Sequence, residues 1–267
     1  MEKGKKGRFQ TYPGPSRSEL MLTHIIAQRE PSLWDVPTDN QLRHAIQEDI
    51  MEIYSPERLK LHNGNRNLRV NYSIDLLTGW DLGQDETRKK LVGYTKALRP
   101  KVLVISPPCT VWCALMTSNW YRMKTEKRER QFREGQLHLE FAMLLVLLQI
   151  SMGRKFVLEQ PLCAKSWDHP YMKVIQSYAD VASVSLDMCQ FGLVSPALKM
   201  AMMKPTKVLT NLHTLTPKLV GKKCPRDHDH KMVQGMEYGI KLSKWAQIYP
   251  APFCNAILDA VQELASD

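Results

Sequence analysis

The stretch Lys101-Val-Leu-Val-Ile105-Ser-Pro-Pro-Cys109-Thr110 decides the reading of the fold. Val102, Leu103, Val104 and Ile105 form an apolar run without polar alternation, which is what a strand covered on both faces of a parallel sheet requires. Upstream, residues 85–98 read as a helix stopped at Arg99-Pro100, because the residue before a proline is pushed out of helical geometry. Downstream, Pro107 and Pro108 fix φ at two consecutive positions and stiffen the turn that carries Cys109. Further along the chain, residues 136–152 predict a long apolar helix. Phe156-Val157-Leu158 then repeats the buried-strand pattern and runs into Glu159-Gln160-Pro161. Residues 51–54, 70–76, 181–186 and 207–209 read as further strands and 172–179 as a helix. Strand and helix alternate, which predicts an α/β fold with a mainly parallel sheet and helices on both faces.

Composition bounds the function. The chain has 267 residues, 43% of them hydrophobic, with six tryptophans, as in a folded globular protein. Its longest apolar stretch, residues 141–150, is about half the roughly 20 residues a membrane span needs, so neither a membrane span nor a secretory signal is expected. Residues 1–48 read as a basic arm, rich in Lys, Arg, Gly and Pro, followed by a short helical leader. Residues 49–267 read as the main domain. Six cysteines without a framework spacing point to an intracellular, reducing compartment, the nucleus if the source is eukaryotic. With 37 Lys and Arg against 27 Asp and Glu, the net charge of +10 points to a polyanionic partner, above all nucleic acid.

In parallel α/β sheets the ligand site lies beyond the carboxyl ends of the strands. Two of those ends carry reactive groups, the thiol of Cys109 and the carboxyl of Glu159. With Pro107-Pro108-Cys109 after one strand, Glu159-Gln160-Pro161 after the next and Gln190-Phe191-Gly192-Leu193 later, residues 51–211 resemble the cytosine methyltransferases that modify carbon 5 of the base. The resemblance implies a Rossmann-like methyltransferase fold, S-adenosylmethionine as cofactor and nucleic acid as substrate, DNA before RNA. It makes Cys109 the nucleophile that adds at carbon 6 and Glu159 the acid near N3. Carbon 5 is a poor nucleophile until a thiolate has added, and the acid offsets charge developing in the ring. An ordinary thiol is only a few per cent ionised at neutral pH, so a nearby cation should favour the thiolate. Arg122, Lys124 and Lys199 are candidates for it. Two alternatives stand beside this reading: a methyltransferase-like nucleic-acid-binding protein without turnover, and an RNA cytosine methyltransferase.

The chain also departs from that family. Its glycine-rich first loop is replaced by Glu52-Ile53-Tyr54-Ser55-Pro56-Glu57-Arg58, and its paired arginines are absent, leaving Lys199 or Lys204 to substitute. The cofactor contacts that the resemblance implies fall on Glu52, Ser55, Asp75, Trp80, Asp81 and Pro107. Asp75 reads equally well as a turn cap and Trp80 as core. Between Leu193 and Arg226 lie six lysines and one arginine with no acidic residue. This acid-free segment, within about 193–235, offers Lys199, Lys204, Lys207, Lys222 and Lys223 to backbone phosphates. Residues 121–134, with six basic and three acidic side chains, read either as a loop over substrate or as a solvated helix face laced with ion pairs. Cys224, His228 and His230 fall within seven residues and suit zinc, with Cys189 as a fourth ligand. An incidental polar loop is the alternative.

Overall fold

The computed structural model describes residues 48–70, 73–113, 116 and 120–264. The arm and leader expected over residues 1–48 thus lie outside the described residues, apart from Glu48. Strands β1 (Ile50–Ile53), β2 (Val102–Ile105) and β3 (Lys155–Pro161) pair in parallel. Strands β4 (Ala182–Asp187) and β5 (Pro205–Thr210) complete a five-stranded sheet in the order β1-β2-β3-β5-β4, with β5 antiparallel to both of its neighbours. The architecture is α/β with a mostly parallel mixed sheet. The helices are α1 (Leu59–His62), α2 (Asp85–Leu98), α3 (Thr125–Ser151), α4 (Pro170–Gln176), α5 (Thr216–Leu219), α6 (Leu242–Trp245) and α7 (Ala251–Leu264).

Alternation along the central strands feeds two cores. Ile50, Val102, Val104 and Val157 face one side, where Leu59, Leu219, Phe253, Ile257 and Val261 pack on them. Met51, Ile53, Leu103, Ile105, Phe156 and Leu158 face the other, against Leu91 of α2, Leu139 to Val146 of α3, and Met172 and Ile175 of α4. Both faces are covered, which is why these strands read as unbroken apolar runs.

Three sequence expectations shift. The strand expected over 70–76 reduces to single parallel bridges, Val70 to Ile50 and Ile74 to Ile53, with residues 71–72 not described. It stops because Asp75 and Thr78 close a capping box on a 3-10 turn at Leu76–Thr78. Helix α3 begins at Thr125 instead of near 136, because most of the charged stretch 121–134 is its solvated first half, with Arg133 placed one turn from Glu129. The amphipathic helix α7, with six of its side chains buried, has no counterpart among the sequence expectations.

The carboxyl ends of β1, β2 and β3 and the amino end of β5 share one edge of the sheet. Chain geometry there is held from α3. A Cβ at Gly135 would lie 2.2 Å from Cγ2 of Val111, which sits in the 3-10 turn Thr110–Trp112 directly after Cys109. Glycine therefore stands in mid-helix despite its poor helix propensity, so that the Cys109 turn can press onto α3. Gly135→Ala should destabilise by about 1–3 kcal/mol through overpacking where an exposed helix site would gain stability. Urea unfolding together with the alkylation rate of Cys109 checks this, and a stabilised protein with unchanged thiol reactivity would contradict it.

Candidate active site and metal centre

Short-range rules place the two reactive groups on one edge. Glu159 is the fifth residue of β3 and is buried. Cys109 caps the 3-10 turn that follows β2, and its carbonyl accepts from the amides of Trp112 and Cys113, both at 3.0 Å. The neighbouring strands are bound together beyond their last ladder pair, since Gln160 Nε2 donates to the carbonyl of Pro107 and Ser166 donates to Gln160 Oε1.

A buried polar chain crosses the same edge. The Glu52 carboxylate at the end of β1 accepts from Ser55 Oγ at 2.5 Å, from Arg58 Nε at 2.9 Å and from the amides of Arg58 and Leu59 at 3.2 Å each. The Arg58 guanidinium lies 3.4 Å from the centroid of the Tyr249 ring. Tyr249, just ahead of α7, donates its hydroxyl to Glu159 Oε2 at 3.1 Å. Since that hydroxyl donates there, Ser106 Oγ at 2.5 Å must donate to the phenol oxygen. The other Glu159 oxygen lies 3.5 Å from Lys204 Nζ and has no hydrogen-bond partner among the described residues. A buried carboxyl oxygen at a strand end that is held by an ion pair and by no hydrogen bond is the position from which a carboxyl group would meet a ligand. Burial, and then the nearby Glu159 charge, push the Tyr249 phenol well above its ordinary range, so it stays a neutral donor.

The thiol is not alone. Cys113 lies within hydrogen-bonding reach of Cys109, and the two behave as one titrating pair. The bond to Cys113, burial and the Glu159 charge hold the Cys109 thiol well up. The bond from Cys109 and the Lys204 ammonium bring Cys113 down. Of the two thiols, Cys113 therefore gives up its proton the more readily. The cation that faces the thiols is Lys204, a residue whose sequence context points to phosphates.

The other expected contacts are distributed differently. Asp75 takes the Leu77 amide at 2.9 Å inside its capping box. Asp81 accepts from the amide of Gly83 and the side chain of Gln84 in an exposed turn. Trp80 packs edge-on to Tyr94, with Lys90 over both rings. Ser55 is spent on Glu52 and on the Pro56 carbonyl. The Glu52 carboxylate is saturated with donors, Arg58 and Tyr249 fill the space beyond β1, and Tyr54 adopts φ +59° where a glycine loop would open the backbone. These residues do not fit S-adenosylmethionine at the end of β1. Among the lysines, Lys199, Lys222 and Lys223 are exposed. Lys204 turns inward to Glu159, and Lys207 lies 4.4 Å over the Trp167 ring.

A second constellation stands beyond β4. Cys189, Cys224, His228 and His230 bring one ligand atom each within 4.8 Å of one another, a group that could hold a metal ion. The Asp187 carboxylate takes the Cys224 amide at 2.9 Å, and its own amide donates to the Lys222 carbonyl, so the loop is tied to the strand that precedes Cys189. Cys224 Sγ lies 3.7 Å from His228 Nε2 and 3.4 Å from His230 Nε2. Tetrahedral coordination with Zn–S near 2.3 Å and Zn–N near 2.05 Å requires about 3.5 Å between such atoms, so the donors fit. Asp227 holds His228 Nδ1 at 2.8 Å, which leaves Nε2 with the free lone pair.

Sequence reasoning missed Arg58, Ser106, Cys113 and Tyr249. Cys113, four residues after Cys109, was the one with a local signal. Tyr249 lies 90 positions from its partner Glu159, and nothing local in the sequence connects them. The chain matches no family model and no curated protein.

The thiol pair makes a pH prediction. Alkylation of Cys113 by iodoacetamide, followed by tandem mass spectrometry, should rise at lower pH than that of Cys109. Lys204→Met should move the Cys113 profile upward, because the cation that favours its thiolate is gone. Equal profiles for the two thiols would contradict their opposite shifts.

Proposed function

We propose that the chain acts covalently on a pyrimidine base of a nucleic acid, as cytosine C5 methyltransferases do, with Cys109 adding at carbon 6 and Glu159 as the acid beside N3. The observation that carries this is the convergence of Cys109, Glu159, Lys204 and Tyr249 on one edge of the sheet. In the step, the Cys109 thiol gives up its proton to water, Lys204 favouring the thiolate, and its sulfur forms the bond to carbon 6. The C5–C6 π pair moves toward C5 and the N3 side of the ring, where a proton taken up from water and held between Glu159 and N3 offsets the charge. Tyr249 orients the carboxyl group through Oε2 and leaves Oε1 for the base. The pair at C5 must take up an electrophile before loss of the C5 proton with cleavage of the C6–S bond can restore the ring and release the Cys109 thiolate. Methyl transfer from S-adenosylmethionine remains the reaction that the sequence resemblance implies. The residues at the end of β1 do not fit that cofactor.

DNA is the favoured nucleic acid, on the resemblance and on the net charge of +10. The runner-up is a nucleic-acid-binding protein without turnover, and one observation favours it: the Glu52–Arg58 ion pair and Tyr249 occupy the cofactor end of the edge. No described helix is long and apolar enough to cross a membrane.

The metal of the second constellation is zinc in this proposal. Two thiolates and two imidazoles in a closed tetrahedron form a structural site, which supplies a cross-link between β4 and the 221–230 loop and no open coordination position.

An oligonucleotide carrying 5-fluorocytosine should form a denaturation-resistant adduct with wild type and none with Cys109→Ser, because fluorine blocks loss at C5 and an alcohol is far less ionised than a thiol. Glu159→Gln should slow trapping by about 10²-fold or more. Tritium transfer from labelled S-adenosylmethionine separates the two readings. Nucleic-acid binding without transfer or adduct favours the protein that lacks turnover, and transfer without an adduct in wild type defeats the covalent assignment.

Purified protein should contain about one zinc per chain by mass spectrometry of the metal, and Cys224→Ser should lose it. Chelation should lower the melting temperature by several degrees, since a few kcal/mol of folding energy resides in such a site. Metal-free protein with an unchanged melting profile would contradict the assignment.

A further inference from the structure

Between the metal loop and α7 the chain forms a small hairpin, β6 (Met236–Glu237) and β7 (Ile240–Lys241), joined by Tyr238-Gly239. Both turn residues have positive φ, +45° and +78°. A two-residue hairpin turn of that kind favours Asn-Gly, since a bulky side chain at positive φ is strained. Here the position holds a tyrosine that is 89% exposed, the most exposed large apolar or aromatic side chain among the described residues. Met236 at 64%, Met232 at 67% and Ile240 at 40% exposure surround it in sequence. Folding alone would favour neither the residue nor its exposure.

The hairpin is tied by hydrogen bonds to the segment that leads into Lys204. Glu237, buried, accepts the amides of Ala197 and Leu198 at 3.1 and 3.3 Å and lies 3.6 Å from Lys231. Lys231, next to the metal-site residue His230, donates its amide to the Ala201 carbonyl at 2.8 Å. Three residues after Ala201 stands Lys204, against Glu159. On the other side, Trp245 donates its indole to the Val194 carbonyl at 2.7 Å, and the chain proceeds to Tyr249, also on Glu159. Both ends of the unit therefore return to the catalytic carboxylate.

The charge around the tip has one sign. Glu237 is the sole acid between Lys231 and Pro250 and is consumed inside the fold, whereas Lys241 and Lys244 are exposed. We infer that the Tyr238 hairpin is a stacking platform for an unpaired base of single-stranded or locally opened nucleic acid, with Lys241 and Lys244 meeting the adjoining phosphates. An exposed ring offers its π-face to any base, and flanking cations follow the backbone, which is how sequence-tolerant single-strand binding is built. The inference rests on the proposed nucleic-acid substrate. It names the form of the substrate and the surface that takes it.

The test is fluorescence anisotropy of a labelled mixed-sequence 20-nucleotide DNA strand against salt concentration. Tyr238→Ala should weaken binding about 10-fold or more at every salt concentration with an unchanged slope, and Tyr238→Phe should retain most of the affinity. Lys241→Glu with Lys244→Glu should instead flatten the slope by about 0.7 for each phosphate that is no longer neutralised. Unchanged affinity in Tyr238→Ala overturns the platform, even where the Cys109 adduct forms and the catalytic reading stands. Weakened binding alongside a failed wild-type adduct supports the platform and removes the catalytic reading. Two further outcomes also overturn it: loss of binding to phosphatidylserine vesicles with oligonucleotide affinity intact, which would make the tip a membrane contact, and conversion of a dimer to a monomer with affinity intact.

Discussion

The structure depends on a buried polar chain that runs across the carboxyl edge of the sheet from Glu52 through Arg58, Tyr249 and Glu159 to Lys204. Its first ion pair is almost fully buried, with Arg58 at 5% and Glu52 at 1% side-chain exposure. Ions in such a place lose hydration worth several kcal/mol each, which is offset only when every lone pair and proton finds a partner. Glu52 meets that condition with four donors. Removing one member would strand the others, so the chain fixes the positions of β1, β2, β3, β5 and the start of α7 together. Arg58 is the hinge of the arrangement. It grips Glu52, the Gln247 carbonyl at 3.1 Å and the face of the Tyr249 ring in one geometry.

The same constraint shapes the chemistry. Because Tyr249 and Lys204 divide the two oxygens of Glu159, the carboxyl group is oriented yet keeps one face open. Lys204 also touches the charge balance of the two thiols, so a single cation serves both Glu159 and the cysteines. The order is acquired at the end of β1, where Arg58 and Tyr249 fill the space beyond the strand. The proposed nucleophile and acid and the filled end of β1 follow from one physical cause.

The metal constellation and the Tyr238 hairpin form a second unit, built on loops and short elements with little core of its own. Its order comes from cross-links: Asp187 to Cys224, Glu237 to the 197–198 amides, Trp245 to Val194. Four soft and borderline ligands within 4.8 Å offer a further cross-link where apolar burial is scarce. Cross-linking by polar groups lets the unit expose apolar side chains, since its order does not depend on burying them.

Much of this was legible in the residues themselves. The apolar runs at 102–105 and 156–158 determined buried strands, because only a doubly covered strand tolerates such a run, and the following prolines ended them. Cys109 and Glu159 were therefore placed at strand ends, and the Cys189, Cys224, His228 and His230 set could be read from ligand type. One local signal misled: the strand expected at 70–76 gives way to the capping box of Asp75. The charged residues from Thr125 to Glu134 follow the solvated-helix reading and open the long helix, with Arg133 paired to Glu129. The reversed direction of β5, the inward turn of Lys204 and the arrival of Tyr249 at Glu159 were decided only by the tertiary structure. Each depends on contacts between residues far apart in sequence, where desolvation and pairing of buried charges outweigh any local preference. Sequence alone determined the central buried strands and the reactive groups at their ends. The packing of the sheet edge decided which of them meet.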